Sequence, residues 1–202
     1  TIDSVIHPAL RKHAHWYLET YKPACRVEPG VAAQQGGDQY YAFRIWQQTT
    51  TSLSADEIHA TGLSEVARIR AEMIEVAKAA GYESREAFVE HLRTDPRYYA
   101  KTPEQLMQKV ARETKLIDGK MPGLFGKLPR LPYGIKEIPE EQAERTTTAY
   151  YRRGAPDIGI AGFYFVNTSK LDQRPFWEIP ALSLHEAVPG HHHQIALQQE
   201  LS

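Results

Sequence analysis

The sequence predicts an α+β fold, predominantly helical, with a small sheet next to a helix suited to carry metal ligands. Three observations lead there. Helix-start signals punctuate the first 120 residues. Two short runs rich in aromatic and β-branched residues, 133–138 and 162–167, fall in the last third. Near the end, HEAVPGHHHQ (residues 185–194) joins a His–Glu pair to a Pro–Gly break and three consecutive histidines.

Taken in chain order, residues 7–21 read as an amphipathic helix and residues 29–38, with the Gly36–Gly37 pair, as a loop. Residues 40–51 are aromatic and β-branched with rough alternation, which suggests a strand, with a helix as the alternative. Ser54 and Glu57 form a capping box, and strong helix formers over 67–80 run up to Gly81 as terminator. Ser84 opens a short helix to Leu92. Thr102-Pro103-Glu104-Gln105 is a second capping box, with Pro at the first helical position, and its helix ends near Asp118–Gly119. The Pro- and Gly-rich stretch 121–132 divides a mainly helical region, 1–125, from an α/β region, 126–202, unless the two form one continuous domain. Residues 133–138 and 162–167 read as strands, 140–145 as a helical turn, and the metal-motif helix starts at Ser183 or earlier, near Pro180.

Composition bounds the function. The 202 residues can bury a core, and 42% hydrophobic with 24% charged residues argues against disorder. With 24 basic and 25 acidic residues the formal charge is −1, so bulk charge favours neither nucleic acid nor a membrane surface. Cys25 is the single cysteine, which excludes an internal disulfide and a cysteine-based zinc knot. No apolar run reaches membrane-spanning length. A soluble chain is expected, either cytoplasmic or exported after loss of a signal segment, with its oligomeric state left open.

The histidine motif carries the chemistry. In the familiar HExxH pattern two His at i and i+4 share a helix face and bind zinc, while the Glu activates a water. Here position i+4 is Pro189. On a regular helix His191 would sit roughly 240° around from His185, and His192 would lie ~10 Å along the axis, too far to share an ion. Pro189 cannot donate to the carbonyl of His185, and Gly190 accepts almost any backbone angle. The sequence therefore predicts a helix opened at Val188-Pro189-Gly190, with His191, or alternatively His192, folded back beside His185. Glu186 is then the candidate general base. A solvated surface cluster of histidines is the competing reading.

At this motif the sequence resembles the DUF885 family, a group of mostly uncharacterised bacterial proteins regarded as zincin-like metallopeptidases. The likeness extends to TTTSLSADEIHATGLSEVARIRAEM (49–73), RTDPRYYAKTPEQL (93–106), LPRLPYGIKEIP (128–139) and GFYFVNTS (162–169). The resemblance implies a Zn²⁺-dependent hydrolase acting on a peptide substrate. It also implies that GFYFVN is an edge strand that grips the peptide backbone by β-addition, which makes Gly162, Phe163, Tyr164 and Asn167 substrate-binding candidates. An interior strand with core aromatics is the alternative. In the family a later segment resembling EGWA offers an acidic third ligand. This sequence contains no such segment, so the chain alone is expected to show little or no peptidase activity, or to serve as a peptide-binding or regulatory fragment.

Other polar residues are secondary. Arg152, with Arg153, could bind a substrate carboxylate, although solvated surface charge is the commoner fate. Tyr150 and Tyr151 read as core or interface residues, and His59 as a packing or capping residue. Glu200 is the one in-chain acidic residue beyond the motif that could reach the metal.

Overall fold

The computed structural model describes residues 1–201 and divides the chain into two compact units, Thr1–Met73 and Ile74–Ser202. The sequence had put the division near residue 125. Helix α5 (Pro103–Asp118) explains the difference, because it packs against strand β1 (Tyr133–Glu137) and helix α8 (Ile179–Glu186) of the α/β region.

The first unit is helical. Helix α1 (His7–Trp16) is extended by π-helical turns at Ile2–Ile6 and Tyr17–Tyr21. Helix α2 (Gly37–Thr49) replaces the strand expected over 40–51. Tyr41, Ala42, Ile45 and Trp46 recur at helical spacing, and this face lines a depression together with Thr51–Ala55. Aromatic content suggested a strand, and periodicity decided for a helix. Thr50, in the left-handed region at φ 55°, ends α2. Helix α3 (Ala55–Ala79) opens on the predicted capping box: the Ser54 N–H donates to Glu57 Oε2 at 2.8 Å, and the Glu57 N–H reaches Ser54 Oγ at 3.3 Å. Gly81, at φ 88°, terminates it.

The second unit holds the candidate site. Helix α4 (Arg85–Thr94) is capped by Ser84, and α5 by Thr102, whose side chain accepts from the Gln105 N–H at 3.1 Å. A four-residue helix, α6 (Met121–Leu124), precedes β1. Helix α7 (Glu140–Ala143) leads to β2 (Ala149–Arg152), β3 (Gly162–Val166), α8 and finally α9 (His191–Gln198).

The sheet order is β1-β3-β2, with β1 parallel and β2 antiparallel to β3. GFYFV is therefore the central strand. The edge assignment is corrected, because both sides of β3 are already paired. On one face Tyr164, Val166 and Ala149 pack with Leu106, Val110, Ile179 and Ala187, from α5 and the α8 region. On the other face Phe165 meets Ile138, Ala143 and Tyr150. Strand alternation sorts the side chains: residues 149, 151, 164 and 166 face the histidine motif, and 150, 152, 163 and 165 face away.

Candidate metal centre

Helix α8 starts at Ile179, with Pro180 in its first turn, and buries Ile179, Ser183 and Glu186 at helical spacing. That places Glu186 on the inward face, 7% exposed, and His185 beside it on the outer rim. The helix ends after Glu186, where Ala187 takes φ −98° and ψ −101°. The Ala187 carbonyl then accepts from the N–H groups of His192 (3.0 Å) and His193 (3.4 Å), which ties the start of α9 to the end of α8.

Gly190 makes this closure possible. A Cβ at that position would collide with the carbonyl oxygens of His185 and Leu184, so the backbone crosses the end of α8 at a distance that only glycine permits. The predicted opening at residues 188–190 is present, and it sets the His185 and His191 rings edge to face with centroids 4.7 Å apart. His191 Nε2 lies 3.9 Å from Glu186 Oε2. Ligand atoms of His185, Glu186 and His191 all fall within 4.8 Å of one another. Two imidazoles and a carboxylate at this spacing match the donor chemistry of zinc and similar divalent ions.

His192 is excluded by its own bonds. Its Nε2 lies 3.0 Å from the Leu131 carbonyl oxygen, which can only accept, so Nε2 carries the proton. Its Nδ1 is then bare and accepts from the Tyr151 hydroxyl at 2.9 Å. The ring is 1% exposed and lies tilted against Tyr133, with centroids 4.9 Å apart. Burial pushes its pKa below the ordinary value, with the Leu131 carbonyl opposing, so the ring is neutral. His193 is buried against Phe125, 4.5 Å between rings, and burial lowers its pKa as well. The triple histidine therefore resolves into one ligand candidate and two packing residues.

The remaining sequence candidates lie elsewhere. Asn167 is fully buried: its Nδ2 donates to the carbonyls of Ala143, Thr146 and Thr147, and its Oδ1 accepts from Ser169. It pins the 143–148 segment and has no free edge for substrate. Phe163 lies on the far face of the sheet under the Lys136 ammonium, 3.8 Å away. Arg152 is on the same far face by alternation with Tyr151. Tyr164 is wholly buried in the core. At Gly162 a Cβ would strike the Tyr151 hydroxyl, so this glycine makes room for the Tyr151–His192 bond. Glu200 accepts from the Arg130 N–H at 2.6 Å and pairs with Lys127 at 3.4 Å, outside the cluster. Those bonds, the Arg130 N–H first, hold its pKa below the ordinary value.

Tyr151 is the residue whose role sequence reasoning missed. Its ring stacks 6.5 Å from His191 and its hydroxyl holds His192. Alternation within AYYR would have placed it on the metal face had β2 been recognised as a strand. An open depression beside the cluster runs between Thr147–Thr148–Ala149 and, along α8, its N-cap Glu178 with Ala181, Leu182, His185 and Glu186. The Asn167 N–H donates to the Thr148 carbonyl, which turns the backbone groups of 148, 150 and 152 towards β3 and those of Ala149 and Tyr151 outwards. The exposed edge next to α8 is thus β2. Among the described residues, no helix is long and apolar enough to cross a membrane.

Comparison with known proteins agrees with this arrangement at the level of fold. The crystal structure of a "putative lipoprotein" from Colwellia psychrerythraea is similar, with a TM-score of 0.85 at 31% identity, covering 99% of this chain and 36% of that one. The chain thus spans little more than a third of that neighbour's length. No curated protein matches. The profile of DUF885, described as a bacterial protein of unknown function, matches residues 1–202, and the chain belongs to that family.

Proposed function

We propose that His185 and His191 hold a zinc ion with Glu186 beside them as general base, and that the chain carries the metal-binding core of a zincin-like peptide hydrolase. The observation that supports this reading is the convergence of the three ligand atoms within 4.8 Å on a helix end that Gly190 alone lets close. Zinc held there would supply Lewis acidity, polarising a peptide carbonyl and acidifying a water.

The protein's own groups have the following parts. His185 and His191 donate ring nitrogens. Glu186, almost buried beside them, takes a proton from the attacking water and passes it to the leaving amine. The outward N–H and C=O groups of Ala149 and Tyr151 on β2 are available to pair with an extended peptide lying in the depression along α8. This moves the peptide-gripping edge from β3 to β2, with the same physical logic of unpaired backbone groups that read no sequence.

A second reading has its own support. Catalytic zinc normally has three protein ligands, and with Glu186 as base only His185 and His191 remain in the cluster. The chain would then bind peptide without turning it over. Incubation with a mixed peptide pool and zinc separates the two. Hydrolysis that a chelator stops and zinc restores supports the first. Peptide binding with no cleavage supports the second, and neither cleavage nor binding contradicts both.

A further inference from the structure

The first unit lacks what the second has, a buried core. Among the described residues, only Gly37 is buried within Thr1–Met73, and every buried hydrophobic side chain lies from Ala77 onward. Single exposed hydrophobic side chains are ordinary on any protein surface. A whole helical unit that buries none is not, because packing of apolar faces is what offsets the entropy lost when helices form.

Its side chains are nevertheless arranged for burial. On α3, Ile58, Gly62, Val66, Ile69 and Met73 recur at three-to-four spacing and share one face. Val66 and Ile69 are 49% and 45% exposed, and a Cβ at Gly62 would meet nothing within 4 Å. Another face of the helix is closed by its own ion pairs, Arg68 with Glu65 at 2.7 Å and with Glu72 at 2.6 Å. Helices α1 and α2 likewise leave Leu10, Trp16, Phe43 and Trp46 on the surface. A stripe of this period is the seam against which a second helix packs.

Charge and length single out the occupant. Between Ala55 and Met73, α3 carries four acidic and two basic residues, the wrong balance for an acidic lipid surface, where basic residues flank the apolar face. The similar Colwellia psychrerythraea protein matches 99% of this chain over 36% of its own length, so there the same fold is accompanied by more polypeptide than it contains. We infer that the apolar face of α3 is a docking surface for a helical segment of the remaining polypeptide in a protein of that length, and that this segment completes the core the first unit lacks. The segment presents an apolar stripe of its own to Val66 and Ile69. Nothing in this surface depends on a metal at His185 and His191.

The test is thiol labelling of Val66→Cys, Ile69→Cys and Ala71→Cys variants, with modification at each site read by peptide mass mapping. Ala71 lies on the opposite face of α3 and is the reference. The variants are made in the complete gene product that carries residues 1–202, and in the 202-residue chain for comparison. In the complete product the Val66 and Ile69 sites should react roughly 100-fold more slowly than the Ala71 site. In the dilute 202-residue chain all three should react at similar rates. Equal rates in the complete product overturn the inference, as does a reading frame that ends at residue 202, or protection already present in the dilute chain. Protection in the complete product that is lost on dilution assigns the face to a second copy. Protection that appears only with phosphatidylglycerol vesicles assigns it to a membrane, and either result overturns the inference.

Discussion

The Tyr151 hydroxyl lies 2.9 Å from His192 Nδ1, and with the Leu131 carbonyl on the opposite nitrogen it commits both ring nitrogens of His192 to the protein. A histidine with both nitrogens spent cannot ligate. Its neighbour His191, half-exposed, keeps its nitrogens for the cluster. Fixing His192 also fixes the start of α9, so the Tyr151 hydroxyl orients His191 through the backbone while its ring stacks beside the His191 ring.

Replacing Glu186 with Gln should leave zinc stoichiometry intact while any zinc-dependent amide hydrolysis falls by about 10²–10⁴-fold, the usual contribution of a general base. Paired metal analysis and initial-rate assays check this. Loss of zinc in the Gln variant would make Glu186 a ligand.

Gly190→Ala should break the turn that brings His191 to His185. The new methyl group would meet two carbonyl oxygens of the preceding helix end, neither of which can move without opening α8. A stability loss of about 2 kcal/mol or more is expected, together with loss of bound zinc, measured by thermal melts and metal content. An alanine variant that melts and binds metal like the parent would contradict the described turn.

Glu200 supplies a pH-dependent clamp between the end of α9 and the 127–130 segment. Its folded pKa is depressed, first by the Arg130 N–H, so its contribution is present above the ordinary carboxylate value of 4.5 and is lost as pH falls below it. Glu200→Gln should therefore lower Tm near pH 7, and the gap between variant and parent should close as pH falls below the ordinary carboxylate value of 4.5. A gap that stays constant as pH falls would show that the carboxylate charge contributes nothing.

The parts of this structure that were legible in the sequence are those set by local rules. The capping box at Ser54, the Thr102 N-cap (whose Gln105 partner reaches the Lys101 N–H instead of the Thr102 N–H), the terminator Gly81, and the helix opening at Val188-Pro189-Gly190 all follow from backbone chemistry within a few residues. Pairing partners are not local. GFYFV reads equally well as an edge or a central strand, and only the positions of YGIKE and AYYR on either side decide it. The choice between His191 and His192 had the same origin: it depended on Leu131 and Tyr151, 61 and 41 residues away in sequence. The helix over 37–49 stood second to a strand for a different reason, because aromatic content was weighed above the three-to-four spacing of Tyr41, Ala42, Ile45 and Trp46.

The most direct test of the central claim is zinc content, by elemental analysis after dialysis, in the parent chain and in the His185→Ala, His191→Ala and His192→Ala variants. The parent should hold one zinc per chain. His185→Ala and His191→Ala should hold close to none at the same free zinc concentration. His192→Ala should lose stability, about 2–3 kcal/mol from two buried hydrogen bonds and a cavity, yet still bind zinc at saturating metal. If His192→Ala abolishes zinc binding while still folded and His191→Ala retains it in full, the assignment of the site is wrong.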